Sequence, residues 1–452
     1  MSGGVRSGFA ASNWGERAAR GSGAATREMG CDGYALSGCI PRPTCIIAGR
    51  TSFTVLRRTF LAASALPLVI PRSLRAASRD EIIESLRARM REFTSSGPCT
   101  GIVTLLQIGG KRIALGAFGL ADREANRAMK TDTICQVMSM TKPFTGSGIA
   151  LLAEEGKLRF TDTVERHLPE FRGQRVIESV DGKQQITVPA PRPITIRDLM
   201  THTSGMAEMP PESAGDFATD VLRRPLDENV LIYAQQPLIF APGTRYQYSN
   251  MGLATLGRII EVCSGQSYEK FLAGRIFEPL GMRDSFFFPP AEKRDRIAMV
   301  YLTNKEGKTE PMPAWVERKG ARYPMPEGGL FSTAEDLSRF YQTVLDGGVY
   351  QGRRILSKWA VETMTALLEA SVPGVAGTGN GWGLTWNRVS GPRGMLTLKS
   401  ASAYGHGGAF GTVGLIDPER KLVGVFFTQE MGRNIRPAQE GFIEQAEAAA
   451  TA

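Results

Sequence analysis

The spacing of apolar residues predicts a helix and a hairpin near the start of the folded part of the chain. Between Ser78 and Phe93, four apolar residues recur with the helical period: Ile82, Ile83, Leu86 and Met90. This spacing is typical of an amphipathic helix with one buried face. Two further apolar runs, residues 101–108 and 112–120, flank the dipeptide Gly109-Gly110. Such a pattern predicts a β-hairpin with a tight turn.

The next element predicted is a helix without a polar face. Residues 143–153 (PFTGSGIALLA) contain no charge, and Gly156 supplies a helix stop. Pro143 is tolerated only in a first helical turn, so the helix begins near Ser139. A helix that is apolar on nearly all sides lies in a core. Further along, helical patterns cover Arg197–Met200, Asp216–Gln235, Met251–Cys263 and Ser267–Ile276.

Strand character returns only near the end of the chain. The runs Thr412–Ile416 and Leu422–Thr428 flank the turn sequence of residues 417–420, and Pro437–Ala450 reads as a closing helix. Strands at both ends around a helical middle predict one α/β domain over residues 78–452, whose sheet is built from both termini. The stretch of about 157–320 is expected to be a mostly helical insertion with long loops.

The leader differs in composition from this domain. Arg57-Arg58 precedes a short apolar run from Phe60 to Ile70, an order typical of a twin-arginine export signal over residues 51–77. The run is too short for a membrane span, and a plain disordered tail is the alternative. Residues 1–50 are expected to be disordered or an upstream start-site artefact. We therefore expect an exported protein, or a cytoplasmic one if the leader is no signal.

Composition and charge exclude several kinds of function. The chain has 452 residues, 42% of them hydrophobic, which is enough for a sizeable core. Its net charge of +9 divides into +7 for the first 77 residues and +2 for the remainder, so no nucleic-acid binding is predicted. The folded part holds three cysteines and three histidines with no Cys-x-x-Cys motif. Neither a disulfide framework nor a zinc site is therefore expected.

The chemistry is concentrated in Ser139-Met140-Thr141-Lys142. Two residues three apart on a helix project from one face, so a nucleophile and a proton acceptor would lie within reach of each other. A serine hydroxyl needs a neighbouring base, and a lysine acts as one only where it is held neutral. The sequence Ser267-Tyr268-Glu269-Lys270 has the same spacing. It lies in a charged helix, where Glu269 would keep Lys270 protonated, and is interpreted as a solvated face.

Two more segments contain residues suited to acyl transfer. Tyr248-Ser249-Asn250 leads into an apolar helix, so Tyr248 and Asn250 can point the same way, although a core tyrosine with an N-cap asparagine is the plainer interpretation. Residues 405–409 (GHGGA) precede the late strands. Glycines there allow close approach of the backbone to a substrate, and one N–H could join that of Ser139 in an oxyanion hole. The spacing required for a phosphate loop fails at Phe410.

These three motifs, in this order, resemble the serine β-lactamase-related hydrolases. Further matches are residues 199–206 (LMTHTSGM), 279–282 (PLGM) and 327–337 (EGGLFSTAEDL), so that the likeness spans roughly residues 80–430. The family includes class C β-lactamases, D,D-peptidases, family VIII carboxylesterases and acyltransferases. The resemblance implies a β-lactamase/transpeptidase-like fold with an antiparallel sheet and flanking helices. No Gly-x-Ser-x-Gly elbow of an α/β-hydrolase occurs.

The resemblance also implies roles for particular residues. Ser139 would be the acylated nucleophile and Lys142 its base, while Tyr248 would share the proton transfer; which of Lys142 and Tyr248 is the true base stays open. Substrate-binding roles are implied for Asn250, His406, Gly408 and Ala409, the last through its backbone N–H in the oxyanion hole. The histidine His202 matches a family turn near the rim and is interpreted as structural. No cofactor or metal is implied.

His406 differs from the family's β-lactamases, which usually have lysine at this position. A cation there binds the substrate carboxylate, whereas a histidine is mostly neutral at pH 7. The resemblance therefore implies a carboxylesterase or transesterase on small uncharged esters. A D,D-peptidase or β-lactamase acting on amides, and a catalytically silent penicillin- or peptide-sensing module, are the alternatives. Substrate walls are expected from residues 205–235 and 310–326. The acyl group, the leaving group and the oligomeric state are not predicted.

Overall fold

The computed structural model describes residues 76–181, 184–368, 380–389 and 399–452. The predictions made for the leader, residues 1–50 and 51–77, fall outside this part apart from Ala76 and Ala77. The division at residue 78 therefore stays a prediction. The described chain forms a central sheet with helices on both faces.

The strands and helices have the following bounds in chain order. The strands are β1 Gly101–Ile108, β2 Lys111–Asp122, β3 Arg127–Ala128, β4 Cys135–Gln136, β5 Arg175–Asp181, β6 Gln184–Pro189, β7 Tyr301–Thr303, β8 Thr309–Pro311, β9 Phe331–Ser332, β10 Val349–Tyr350, β11 Arg353–Arg354, β12 Asn380–Trp382, β13 Asn387–Val389, β14 Tyr404–Gly407, β15 Val413–Asp417, β16 Leu422–Phe427 and β17 Glu430–Met431. The helices are α1 Arg79–Ser95, α2 Lys142–Glu154, α3 Val164–His167, α4 Ile196–Met200, α5 Leu226–Ala234, α6 Asn250–Ser264, α7 Tyr268–Leu272, α8 Pro313–Glu317, α9 Ala334–Leu345, α10 Lys358–Thr365 and α11 Arg436–Thr451.

The central sheet joins the two ends of the described chain, as predicted. Its order is β12-β13-β14-β15-β16-β1-β2-β3, and each neighbouring pair is antiparallel. The strand β1 pairs with both β2 and β16, so that Val103 lies opposite Ala117 on one side and Phe427 on the other. Because every residue of β16 is buried, this strand carries apolar side chains on both faces.

One face of the sheet is covered by the helices from the two ends of the described chain. The amphipathic α1 begins after Ser78, whose side chain forms a capping box with Glu81. Leu86 and Met90 of α1 share one cluster with Phe426 of β16 and Phe442 of α11. The other face carries α2 and α9, which meet where the rings of Phe144 and Phe340 stack 3.9 Å apart. The site described below lies on this second face.

Local turns follow the predicted chemistry. Gly109 and Gly110 connect β1 to β2 with φ angles of 57° and 76°, a left-handed conformation that favours glycine. Helix α2 ends just before Gly156, which has a φ of 69° and takes the left-handed position after the last turn. Eleven residues of α2 are buried, which confirms the prediction of a core helix.

The insertion differs from the prediction in three ways. The strands β5 and β6 pair with each other, which was not predicted because their side chains are largely exposed and show little apolar alternation. The predicted helix Asp216–Gln235 is interrupted: a π-helical turn covers Phe217–Val221, and α5 begins only after Pro225, which cannot continue a helix. The predicted helix Ser267–Ile276 is α7 followed by a π-helical turn over Ala273–Phe277.

In the part of the chain that the structure describes, no helix is long and apolar enough to cross a membrane. The three described cysteines, Cys99, Cys135 and Cys263, are free thiols.

Candidate active site

Ser139 is held at the entrance to the buried helix α2. A short 3-10 turn over Met138–Thr141 precedes α2, so the predicted helical start near Ser139 is confirmed with this tighter geometry. Met138 has a φ of 51°, a strained conformation for a residue with a side chain. The Thr141 hydroxyl donates to the Met138 carbonyl at 2.7 Å and stabilises the turn. Lys142 Nζ lies 3.0 Å from Ser139 Oγ, which brings the predicted pair together.

The amine of Lys142 is enclosed by three oxygen atoms. Besides Ser139 Oγ, it contacts Asn250 Oδ1 at 2.9 Å and the carbonyl oxygen of Glu327 at 2.7 Å. The lysine is completely buried. Burial lowers the pKa of Lys142 to about 7, against the attraction of the Glu327 and Glu208 carboxylates. A lysine in this state can accept a proton near neutral pH.

Tyr248 lies on the other side of this amine. The centre of its ring is 4.7 Å from Lys142 Nζ. Burial raises the pKa of Tyr248 above its ordinary value, and a contact with the Ser139 hydroxyl opposes that shift. Tyr248 therefore remains a neutral phenol that can donate a hydrogen bond toward Ser139. The prediction that Tyr248 and Asn250 face the same site agrees with this geometry.

The side chain of Ser249, the residue between them, forms hydrogen bonds with main-chain groups. Its hydroxyl accepts the Gly252 N–H at 3.0 Å and donates to the Ala207 carbonyl at 2.8 Å. Ser249, not Asn250, is thus the N-cap of α6. The amide of Asn250 is left free to contact Lys142 and, through Nδ2, the Met209 sulfur at 3.6 Å.

His202, which was interpreted as a structural residue near the rim, is fully buried and packs against Tyr248. Its ring stacks on Tyr248 with centres 4.4 Å apart, and its Nδ1 accepts the backbone N–H of Ser249 at 3.1 Å. Burial lowers the pKa of His202 well below its ordinary value, so the ring is neutral. Trp382 closes the cluster, with its ring centre 4.8 Å from that of His202.

The glycine-rich segment 405–409 lies beside Ser139. Gly408 donates its N–H to the Thr412 carbonyl at 2.8 Å, and the Thr412 hydroxyl donates to the Val137 carbonyl at 2.9 Å. A Cβ on Gly408 would lie 2.1 Å from Thr412 Oγ1 and 2.4 Å from that carbonyl oxygen. Only glycine permits this approach. The N–H of Ala409, the next residue, donates to no other described residue.

His406 ends this group on strand β14. Its Nδ1 donates to the Gly407 carbonyl at 2.7 Å, which leaves Nε2 as an acceptor without a partner among the described residues. Burial, and then the positive charge of Lys142, lower the pKa of His406 to about 3. The side chain therefore carries no charge at neutral pH.

Sequence reasoning missed two charged residues behind Lys142. Glu327, quoted only as part of a motif, is 7% exposed, and Tyr323 donates to both oxygens of its carboxylate at 3.0 and 3.1 Å. Arg318 is 5% exposed and donates to the carbonyls of Phe287 and Gly329, each at 3.3 Å. One available signal was the charged Glu327 between proline and glycines, which is unusual where a loop enters a core.

The segments expected to wall the site do meet. The ring of Phe217 stacks on Trp315 with centres 5.3 Å apart, so that residues 205–235 and 310–326 are joined by an aromatic contact. Trp315 also meets Phe410 edge-on at 5.5 Å, and Phe410 directly follows Ala409. Met209, whose sulfur contacts the Asn250 amide, is 51% exposed.

The rival motif and the remaining histidine lie apart from this site. The Ser267 hydroxyl donates to Glu269 at 2.5 Å, consistent with its interpretation as an ordinary polar face. His167, for which no motif was found, lies between Asp162 and Cys263.

The chain is similar in sequence to proteins of one known family. The family model described as Beta-lactamase matches residues 86–448. Esterase EstB from Burkholderia gladioli is 35% identical over 236 residues, which are 50% of this chain and 55% of the esterase. Penicillin-binding protein 4 from Amycolatopsis lactamdurans is 32% identical over 311 residues, or 65% of this chain and 71% of that protein.

A solved structure shows the same fold. The structure of EstCE1, described as a hydrolase with promiscuous acyltransferase activity, superposes with a TM-score of 0.68 at 22% identity. The match covers 81% of this chain and 99% of EstCE1. The fold is thus β-lactamase/transpeptidase-like, as the sequence resemblance implied. The chain belongs to the β-lactamase family of serine hydrolases.

Proposed function

We propose that this protein is a serine hydrolase that forms an acyl-enzyme at Ser139 and acts as a carboxylesterase or transesterase on small uncharged esters. The observation that carries the proposal is the buried Lys142 amine, 3.0 Å from Ser139 Oγ and held by Asn250 and the Glu327 carbonyl. Such a lysine is fixed in position and has a pKa of about 7. It can take the serine proton without a further base.

The reaction follows from the positions of these groups. Lys142 accepts the proton of Ser139 while Oγ bonds to the ester carbonyl carbon. The oxyanion that forms receives hydrogen bonds from the N–H groups of Ser139 and Ala409. When the intermediate collapses, the bond to the leaving alkoxide breaks and the alkoxide takes the proton from Lys142, with the Tyr248 hydroxyl as relay. A water or alcohol then loses its proton to the same pair as its oxygen bonds to the acyl carbon. When this second intermediate collapses, the bond from the acyl carbon to Ser139 Oγ breaks and Oγ regains the proton from Lys142.

The preference for uncharged esters rests on His406. A buried ring with a pKa of about 3 supplies no positive charge for a substrate carboxylate. Its Nδ1 hydrogen is already donated to the Gly407 carbonyl, so the ring offers a substrate only the acceptor Nε2. The relationship to an esterase at 35% identity supports this preference.

A D,D-peptidase or β-lactamase activity on amides is the second candidate. The relationship to a penicillin-binding protein at 32% identity favours it. A non-catalytic sensor of penicillin or peptide is the third candidate, against which stands the complete set of Ser139, Lys142 and Tyr248, since binding alone does not require a nucleophile.

One set of measurements separates these candidates. A chain-length series of p-nitrophenyl esters is assayed beside nitrocefin on the protein from Ser78 onward, and a fluorophosphonate adduct is located by peptide mass spectrometry. We expect ester turnover to exceed nitrocefin turnover, with the adduct on Ser139. Ser139→Ala should abolish both, whereas Ser267→Ala, at the rival motif, should change neither. Rapid nitrocefin turnover would favour the second candidate, and labelling without any turnover the third. An active Ser139→Ala protein would refute the acyl-enzyme at Ser139.

We also propose export, on the strength of Arg57-Arg58 ahead of an apolar run. Arg57→Lys with Arg58→Lys should leave the full-length protein in the cytoplasmic fraction of a producing bacterium, whereas the unaltered protein should reach the periplasm. Equal distributions would refute it.

A further inference from the structure

Two buried groups of opposite charge, Arg318 and Glu327, lie in the segment between α8 and β9, and the main chain of Glu327 contacts Lys142. Arg318 is 5% exposed and Glu327 is 7% exposed, while Lys142 is completely buried. Among the described residues, no carboxylate lies within ion-pair distance of the Arg318 guanidinium, which instead donates to two backbone carbonyls. Arginine keeps its charge in proteins, so a permanent positive charge lies in the interior here.

Glu327 connects this charge to the lysine. Its main-chain carbonyl accepts a hydrogen bond from Lys142 Nζ at 2.7 Å, and the two oxygens of its carboxylate share the single hydrogen of the Tyr323 hydroxyl. Burial raises the pKa of this carboxylate to about 7, and the positive charges of Lys142 and Arg318 oppose that shift and favour its ionised form. Among the described residues, Glu327 is the carboxylate whose charge acts on Arg318. One buried anion is therefore shared by two buried basic groups.

A count of charges then favours one protonation state. With Arg318 positive and Glu327 negative, the interior is neutral only if Lys142 is uncharged. A proton on Lys142 would leave one net positive charge among these buried groups, which costs free energy. The other groups that interact with Lys142 do not cancel that charge fully: Glu208 is exposed to solvent, and Tyr248, His202 and His406 are neutral rings.

We propose that Arg318 and Glu327 are positioning residues that set the protonation of Lys142. The charge of Arg318 compensates that of the Glu327 carboxylate and so favours the neutral, proton-accepting amine, while the main-chain carbonyl of Glu327 holds that amine in place. The inference rests on the proposed function, in which Lys142 is the base for Ser139. It predicts that removing either charge changes the pH at which the enzyme becomes active, in opposite directions.

The test is the pH dependence of kcat/KM for a p-nitrophenyl ester, together with the pH dependence of fluorophosphonate labelling at Ser139. The acid limb is the pH range in which kcat/KM falls as the pH is lowered. In Glu327→Gln the anion is lost, so a proton on Lys142 is disfavoured further, and the acid limb should move to lower pH by about one unit. In Arg318→Met the freed Glu327 charge attracts that proton, so the acid limb should move to higher pH by about one unit. The double variant should lie between the two.

Two controls separate this role from simple damage to the fold. Glu447→Gln changes a buried carboxylate of α11 that is paired with Arg420, and it should leave the acid limb in place. Loss of packing would lower the plateau rate and the Tm without moving the two limbs in opposite directions. If Arg318→Met does not fold, the isosteric Glu327→Gln decides the question by itself.

The two hypotheses fail in different ways. Limbs that stay unchanged, or that move in the same direction, in folded variants whose Ser139→Ala control is inactive would overturn the role of Arg318 and Glu327. Activity that survives Ser139→Ala would instead overturn the proposed function.

Discussion

Lys142 Nζ lies 4.7 Å from the centre of the Tyr248 ring, and burial acts on the two residues in opposite ways. It lowers the pKa of the lysine to about 7 and raises that of the tyrosine above its ordinary value. Removal of water disfavours the charged form of each group. The charged form of the lysine is the protonated cation, whereas that of the tyrosine is the deprotonated anion. Near neutral pH the lysine can therefore be a base while the tyrosine stays a donor, and this supports Lys142 as the base.

The first prediction concerns pH. The base must be unprotonated, and protonation of a group with a pKa of about 7 rises as the pH falls. We expect kcat/KM for an uncharged ester to be level above about pH 8 and to fall about tenfold for each pH unit below about pH 6. The measurement is a pH–rate profile on an ester with a pH-independent leaving group. A limb near pH 4 would assign the proton transfer to another group.

The second prediction concerns the lysine itself. Lys142→Met keeps a chain of similar length without the amine, and it should lower kcat about 10²- to 10⁴-fold, as expected for loss of a general base. The residual activity should no longer show the acid limb. Lys270→Met, at the rival motif, is the matched control and should behave like the unaltered protein. An active Lys142→Met protein with an unchanged profile would contradict the assignment.

The third prediction concerns the loop that carries Ala409. Gly408→Ala places a Cβ against Thr412 Oγ1 and the Val137 carbonyl, at 2.1 and 2.4 Å, so the loop must move. We expect a fall in kcat of about 10²- to 10³-fold, the usual cost of losing one oxyanion donor, with a smaller change in KM. Gly274→Ala serves as the control because nothing lies within 4 Å of its added Cβ. A changed KM with an unchanged kcat would argue against an oxyanion role for this loop.

The fourth prediction concerns the aromatic contact between the two wall segments. Trp315 stacks on Phe217 and meets Phe410, next to Ala409. If this ring bounds the acyl pocket, Trp315→Ala should lower kcat/KM for esters of longer or aromatic acids about tenfold, since apolar contact discriminates modestly. Acetate esters should be affected less. Trp359→Ala is the control, because Trp359 is 50% exposed and stacks on Phe160 instead. A uniform loss across the ester series would exclude a role in selectivity.

The fifth prediction concerns Cys263, whose thiol lies 3.4 Å from His167 Nδ1, while His167 Nε2 lies 3.3 Å from Asp162. Burial raises the pKa of all three described thiols, to about 12 for Cys99 and Cys135. Cys263 is less buried than those two, and its thiol contacts the polar ring of His167. Iodoacetamide should therefore alkylate Cys263 first among these three, and His167→Phe should slow that reaction. Peptide mass spectrometry assigns each site; equal rates would contradict the role of His167.

The sequence was sufficient to predict those helices and turns that depend mainly on residues close to each other in the chain. The amphipathic helix α1, the Gly109-Gly110 turn and the uncharged α2 each follow from neighbouring residues, and the structure confirms them. Two elements of the insertion were predicted less well, because neighbouring residues gave a weak or misleading pattern. The β5–β6 pair shows little apolar pattern because its side chains are mostly exposed, and Pro225 interrupts a stretch that was interpreted as one helix.

The sequence by itself determined the spacing of Ser139 and Lys142 and the order of the motifs that followed them, because one helical turn and a linear order are properties of the chain. Only the tertiary structure decided what surrounds the lysine. The carbonyl of Glu327 and the amide of Asn250 come from positions 185 and 108 residues away, and their approach depends on packing of α2 against α6 and the loop before β9. The pKa of Lys142 is set by that burial, since the loss of water around a charge has no counterpart in local sequence.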